Sequence, residues 1–259
     1  MGPTAKGVPD LDWLRSQMEQ NRYGDDDTQS ARNAIRMVTL VNPGILTGVS
    51  LTHEFLAEIT ELTKEYGVWL VMDNTYEHFD VKGKNKLPST EEGADGNGDV
   101  TPDFPCFDEE HVINIVSFSK GYAIAGFRVG YVALSSKDDG GGGGGGTRAY
   151  GEMLKVQDTI AICVSRVSQM AAMGALRAGR EWVHERVRSL DAGRAAILGA
   201  VSSLEDVVGG DGAMYVMGKL PDSVDDQVRD AKCFVSLTSA HREPPSRFSH
   251  SFFLPMPVD

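Results

Sequence analysis

Four short apolar runs, each opening onto polar residues, constrain this chain more than any other feature. They are Met37-Val-Thr-Leu-Val41, Val68-Trp-Leu-Val-Met72, His111-Val-Ile-Asn-Ile-Val116 and Arg128-Val-Gly-Tyr-Val-Ala-Leu134. Runs of this length with little polar alternation read as strands covered on both faces, as in parallel sheets. The first closes on Asn42-Pro43-Gly44, the second on Asp73-Asn-Thr-Tyr76 and the third on Ser117. Between the first two, Phe55, Leu56, Ile59 and Leu62 share one face of a helix predicted over about residues 52–66. Strands alternating with helices, with polar residues at the strands' carboxyl ends, predict an open α/β sheet with its site along that edge.

Composition narrows the class of partner. The chain has 259 residues, 41% hydrophobic and 24% charged, enough for one substantial core or two modest ones. A formal net charge of -12 argues against nucleic acid or an anionic membrane surface as the main partner, because both need a basic face. Cys106, Cys163 and Cys233 are too few and too scattered for a disulfide framework or a zinc site, which points to a reducing compartment. No apolar run approaches the roughly 20 residues that span a bilayer, and the start, Met-Gly-Pro-Thr-Ala-Lys-Gly, has no apolar signal segment. The expectation is a soluble, cytoplasmic protein with no metal, nucleic acid or membrane partner.

Elsewhere, Leu11, Leu14 and Met18 predict a short amphipathic helix. Residues about 82–104, rich in Gly, Asp, Glu and Asn, and the stretch 138–147, with its run Gly140 to Gly146, read as mobile surface loops. Helical periodicity covers Arg148 to about Ala178 and Trp182 to about Leu204, and Ala213-Met-Tyr-Val-Met217 predicts a strand of a second domain. The last 30 residues show little regular period.

The chemistry concentrates in Ser117-Phe-Ser-Lys-Gly-Tyr-Ala-Ile-Ala-Gly-Phe-Arg-Val-Gly130. A lysine amine attacks a carbonyl only after losing its proton, which burial or a neighbouring cation promotes, and Arg128 can supply the cation. The hydroxyls of Ser117 and Ser119 with the guanidinium fork of Arg128 suit a phosphate dianion. Asp73, at the end of a buried strand, needs a cation or a strong donor; a protonated pyridine nitrogen would serve, and Tyr76 could bring a phenol to the same ring. Taken singly, Lys120 could be a solvated hairpin residue, Asp73 the cap of its turn and Tyr76 packing. Together, Asp73, Tyr76, Ser117, Lys120 and Arg128 match a ring nitrogen, a ring oxygen, an aldehyde and a phosphate.

Through Asn42-Pro-Gly-Ile-Leu-Thr-Gly48, Asp73-Asn-Thr-Tyr76 and the lysine motif, the sequence resembles the fold-type I, class I/II aminotransferases that use pyridoxal 5'-phosphate. Asp73-Asn-Thr-Tyr-Glu77, the Ser-Phe-Ser-Lys form, Lys155-Val-Gln-Asp-Thr-Ile-Ala-Ile-Cys163 and Ser168-Gln169 look most like the plant and algal branch acting on aromatic amino acids and methionine. The resemblance covers about residues 8–226. It implies a three-layer α/β sandwich with a mostly parallel sheet. Residues 1–154 would form a partial large, cofactor-binding domain, 155–226 an interdomain helix and partial smaller α/β domain, and 227–259 an irregular tail. It further implies that Lys120 forms the Schiff base and then shuttles a proton. Asp73 would keep the pyridinium protonated, Tyr76 would hold the ring oxygen, Ser117 and Arg128 would anchor the phosphate, and Ser119 would support them. The substrates would be an amino acid and a 2-oxo acid, and the assembly a homodimer.

The sequence departs from that pattern in two respects. Ile45 and Leu46 stand where the family carries an Asn-Pro pair whose asparagine donates to the ring oxygen, so Tyr76 would act alone there. Asn42, at the motif's first position, is expected to be structural. Family members run to about 400 residues, and the segment before the first motif, with its ring-stacking aromatic, has no counterpart; Arg247 only echoes the substrate-carboxylate arginine. A catalytically impaired fragment or pseudoenzyme, and a lyase or synthase on the same fold, are the alternative readings.

Overall fold

A computed structural model describes residues 4–20, 34–81, 106–135, 145–219 and 235–236. The predicted loop at 82–104 and most of the tail from 227 lie outside them.

The chain opens with a two-stranded hairpin, β1 (Thr4–Ala5) and β2 (Val8–Pro9). Lys6 and Gly7 turn it with φ of 51° and 82°, the paired positive values of a tight hairpin turn. Asp10 Oδ1 accepts from Trp13 N at 2.9 Å and caps α1 (Leu11–Gln20). The predicted stripe faces inward: Met18 is buried beside Leu62 and Val68, with Leu11 and Leu14 against them.

The main sheet contains β3 (Met37–Val41), β4 (Trp69–Asp73), β5 (Val112–Ser117) and β6 (Gly130–Leu134) in that order. The first three are parallel, and β6 runs antiparallel to β5. Helix α2 (His53–Glu65) makes the crossover from β3 to β4. Thr52 caps it by accepting from Phe55 N, and Leu56 and Ile59 pack under Leu40, Leu70, Met72 and Val112. Thr60 and Thr63 are buried on that helix without cost, because their hydroxyls donate to the carbonyls of Leu56 and Ile59 at 2.7 and 2.9 Å.

The helical region divides differently from its sequence period. Helix α3 (Gly145–Val156) begins inside the glycine run, so the predicted 138–147 loop ends earlier on this side. Gly146 meets the Ser135 carbonyl, where a Cβ would stand 2.2 Å away. A π-helical turn, Gln157–Ala161, then breaks the helix; Ile162 closes it at φ 59° by donating its N–H to Gln157 O. Helix α4 (Arg166–Arg188) is kinked at Gly179, whose φ of 81° and ψ of 173° are non-helical, so two helical segments meet where the sequence period also divides them. Helix α5 (Asp191–Val201) precedes an antiparallel trio, β7 (Glu205–Gly209), β8 (Tyr215–Lys219) and β9 (Val235–Ser236). The strand predicted from Ala213 thus begins two residues later, because Ala213 takes φ 51°.

This second sheet is anchored directly to the loops that follow β3 and β4. Gly212 N donates to Gly48 O at 2.9 Å, Ser50 N to Asp211 Oδ1 at 3.2 Å, and Val81 N to Asp211 O at 3.0 Å. At Gly48, φ is 65° and an added Cβ would stand 1.8 Å from the Tyr215 carbonyl. Gly67, at the carboxyl end of α2, has φ 63° but open space around it. Gly67→Ala is therefore expected to cost about 1–2 kcal/mol, the strain of the left-handed region alone. Gly48→Ala adds a backbone clash and should cost about 3 kcal/mol or more. Urea unfolding of the two variants separates the effects; equal losses would show that the 48–215 contact is slack.

Candidate active site

The five residues singled out by sequence lie at or just beyond the carboxyl edge of β4 and β5. Asp73 is the last residue of β4. Its Oδ1 accepts from Thr75 N at 3.0 Å and Thr75 Oγ1 at 2.5 Å, so this carboxylate does cap its own turn. Among the described residues no hydrogen bond reaches Oδ2. One oxygen is thus held rigidly while the other remains available, a division of labour the single-role sequence readings did not anticipate.

The same turn sends Tyr76 inward, where it is only 1% exposed. Its ring meets Phe79 and Tyr215 edge to face, each at 5.7 Å, and its hydroxyl lies 2.6 Å from the Tyr215 hydroxyl. Burial, then the bond to Tyr215, push the Tyr76 phenol well above the ordinary tyrosine range. Lys120 is half-buried on the turn after β5, with Nζ 5.7 Å from the centre of the Tyr76 ring, a cation–π placement. The amine and the phenol named from sequence are therefore neighbours.

The phosphate candidates are less assembled. Ser117 ends β5, and its Oγ accepts from Ser119 N at 3.1 Å, leaving the hydroxyl proton to donate. Ser119 accordingly stiffens the turn through its backbone. Arg128 sits at φ 53° after the Ala125–Phe127 turn, exposed, and its Nη1 donates to Ala125 O at 3.0 Å. Among the described residues no hydrogen bond or ion pair joins Arg128 to Ser117 or Lys120.

Asn42 braces the loop after β3: Oδ1 accepts from Leu51 N at 2.9 Å, within a peptide segment whose Asn42–Pro43 bond is cis. Ile45 and Leu46 are both partly exposed and offer no side-chain donor. Ile45 instead lines an apolar cavity of about 270 Å³ with Trp13, Leu14, Val38, Leu40 and Ile59. That cavity's lining includes none of Asp73, Tyr76, Ser117, Lys120 or Arg128. The candidate residues therefore gather at the strand edge and not in the cavity.

Sequence reasoning missed Thr75, Tyr215, Glu77 and His78. Thr75 was legible in principle, as a hydroxyl two residues after an aspartate. Tyr215 carried no local signal, because 139 residues separate it from Tyr76. Glu77 Oε1 lies 3.4 Å from His78 Nε2 in a largely covered site, and His78 packs edge-on against Tyr122 and His184. Gly121 is required there, since a Cβ would stand 2.7 Å from the His78 ring. The lysine turn thus rests on helix α4 through His78, with Tyr122 stacked on Trp182 at 6.5 Å.

The donor set, an amine beside a phenol, a carboxylate with one open oxygen, and a hydroxyl and guanidinium beyond it, fits a phosphorylated pyridine aldehyde in charge and type. Comparison with known proteins agrees on the class. The family model "Aminotransferase class I and II" matches residues 11–242, and the chain belongs to that family. It is 33% identical over 216 residues to the aromatic aminotransferase ISS1 of Arabidopsis thaliana, covering 83% of this chain and 46% of that protein. A probable aspartate aminotransferase of Methanocaldococcus jannaschii is 23% identical over 190 residues, covering 73% of this chain and 44% of the relative. The crystal structure of an aromatic aminotransferase from Pyrococcus horikoshii OT3 superposes with TM-score 0.58 at 23% identity, over 83% of this chain and 48% of that one, a likeness of fold. The chain spans about half the length of the curated relatives it matches. Among the described residues, no helix is long and apolar enough to cross a membrane.

Burial pushes the Glu77 carboxyl up to about 7. A carboxyl raised on folding binds its proton more tightly in the folded than in the unfolded state. Its stabilising contribution is complete below the ordinary glutamate range and is lost as pH rises towards 7. Stability is expected to fall between about pH 4.5 and 7 by up to ~3 kcal/mol from this group. Glu77→Gln should flatten that part of the profile in denaturant titrations at several pH values; an unchanged slope would place the proton elsewhere.

Proposed function

We propose that this chain carries the cofactor-binding part of an aminotransferase that moves an amino group between an amino acid and a 2-oxo acid with pyridoxal 5'-phosphate. The observation that carries the reading is the Lys120 amine beside the Tyr76 ring, with the open oxygen of Asp73 at the strand end that leads into Tyr76. When bound, the cofactor supplies an aldehyde for the amine and a protonated ring that draws electrons from the substrate Cα.

The chain's own residues divide the remaining work. Lys120 would hold the aldehyde covalently and, once displaced by substrate, carry the proton from the substrate Cα. Asp73, oriented by Thr75, would keep a ring nitrogen protonated through Oδ2, since a carboxylate at close range favours the cationic form. Tyr76 would donate to the ring oxygen. Ser117 would donate its free hydroxyl proton to the phosphate, and Arg128 would exchange Ala125 O for the same phosphate, forming a charge-assisted bond. The identity to an aromatic aminotransferase favours aromatic amino acids as amino donors, and the motif resemblance adds methionine. A homodimer belongs to the same proposal, and light scattering of the purified chain tests it.

Purified chain mixed with pyridoxal 5'-phosphate is expected to develop an absorbance band, and borohydride should fix the cofactor to the peptide containing Lys120. Lys120→Ala should abolish both. Arg128→Ala should weaken cofactor binding about tenfold or more, the loss of a charged hydrogen bond. An aromatic amino acid alone, without an oxo acid, should then change the band and release its 2-oxo acid. No band and no labelled Lys120 peptide would overturn the reading.

A further inference from the structure

The Tyr76 hydroxyl is never alone at this site. Tyr215 Oη stands 2.6 Å away, at the short end of hydroxyl–hydroxyl bonds. Because Tyr76 is almost wholly buried, its partner decides where its single proton points. Tyr215 is held by backbone as well as by its ring packing on Tyr76. Its carbonyl presses on Gly48, and two residues shortly before it tie down to both motif loops: Asp211 to Ser50 and Val81, Gly212 to Gly48. Ala213 and Met214 complete the apolar surround of Tyr76 and Phe79. On the side of the loop after β3, Ile45 and Leu46 present only carbon.

We propose that Tyr215 is a positioning residue of the cofactor site, donating to the Tyr76 hydroxyl so that the proton of Tyr76 is directed at the cofactor's ring oxygen. This rests on the cofactor reading above. Hydroxyls in series polarise one another, so a phenol that accepts a hydrogen bond donates more strongly. The pair would thereby stabilise negative charge on the ring oxygen at a site where Ile45 cannot contribute a donor. The second sheet then belongs to the active site chemically, through one hydroxyl.

The test is a pH titration of the absorbance of the cofactor-loaded chain, with thermal melting of the cofactor-free proteins alongside. Tyr215→Phe should raise the midpoint of the spectral transition by about one pH unit, the scale of one lost hydrogen bond. Tyr76→Phe should raise it further, and adding Tyr215→Phe to Tyr76→Phe should move it no more, since Tyr215 acts through Tyr76. A Tyr215→Phe protein that melts earlier yet keeps the wild-type midpoint would overturn the proposal, as would additive shifts in the double variant. Should the wild-type chain load with cofactor and only the Tyr215→Phe shift be missing, this proposal alone fails. Should the wild-type chain not load, the cofactor reading fails and this one with it.

Discussion

Everything at the site depends on one row of the parallel ladder. Val41, Asp73 and Ile115 stand opposite one another across β3, β4 and β5. The next bonds, Asn42 N to Asp73 O and Asn74 N to Ile115 O, carry the ladder one step further before the strands part into turns. Parallel strands held in register end together, and whatever follows them is gathered on one edge. The burial of Leu70, Met72 and Val112 against α2 maintains that register, because a slip by one residue would turn each of them to the opposite face.

That dependence explains what could be read from sequence. The strands were legible as apolar runs, α2 as a 3.6-residue stripe, and Asp73, Tyr76, Ser117 and Lys120 as the polar residues where strands stop. All are local signals. Tertiary contacts decided what was misread. The periodicity from Arg148 to Ala178 describes a continuous helix, yet a turn wound one residue wider and closed by Ile162 interrupts it, and no residue type in that stretch forbids either course. The antiparallel course of β6 is equally silent in composition. Tyr215 looks like an ordinary strand residue until the fold lays it on Tyr76.

Asp73 shows why weighing alternative roles singly misleads. Turn capping and cation binding were rival readings of one carboxylate, but a carboxylate has two oxygens, and Thr75 occupies only Oδ1. The cap makes the second role better defined by removing the rotational freedom of the group. Glu77, on the same turn, is governed by burial: with little solvent around it, its proton is retained towards neutrality.

The contact between Gly48 and Tyr215 also has a temporal meaning. The bonds that join the second sheet to the motif loops bridge 161 residues at Ser50–Asp211 and 139 at Tyr76–Tyr215. Closures across such separations cost more loop entropy than the strand and helix pairings that need shorter loops, and are expected to follow them. The lysine turn can therefore take shape on an emerging chain well before Tyr76 has its hydroxyl partner, and completion of the site doubles as a record that residues far downstream have been made and folded.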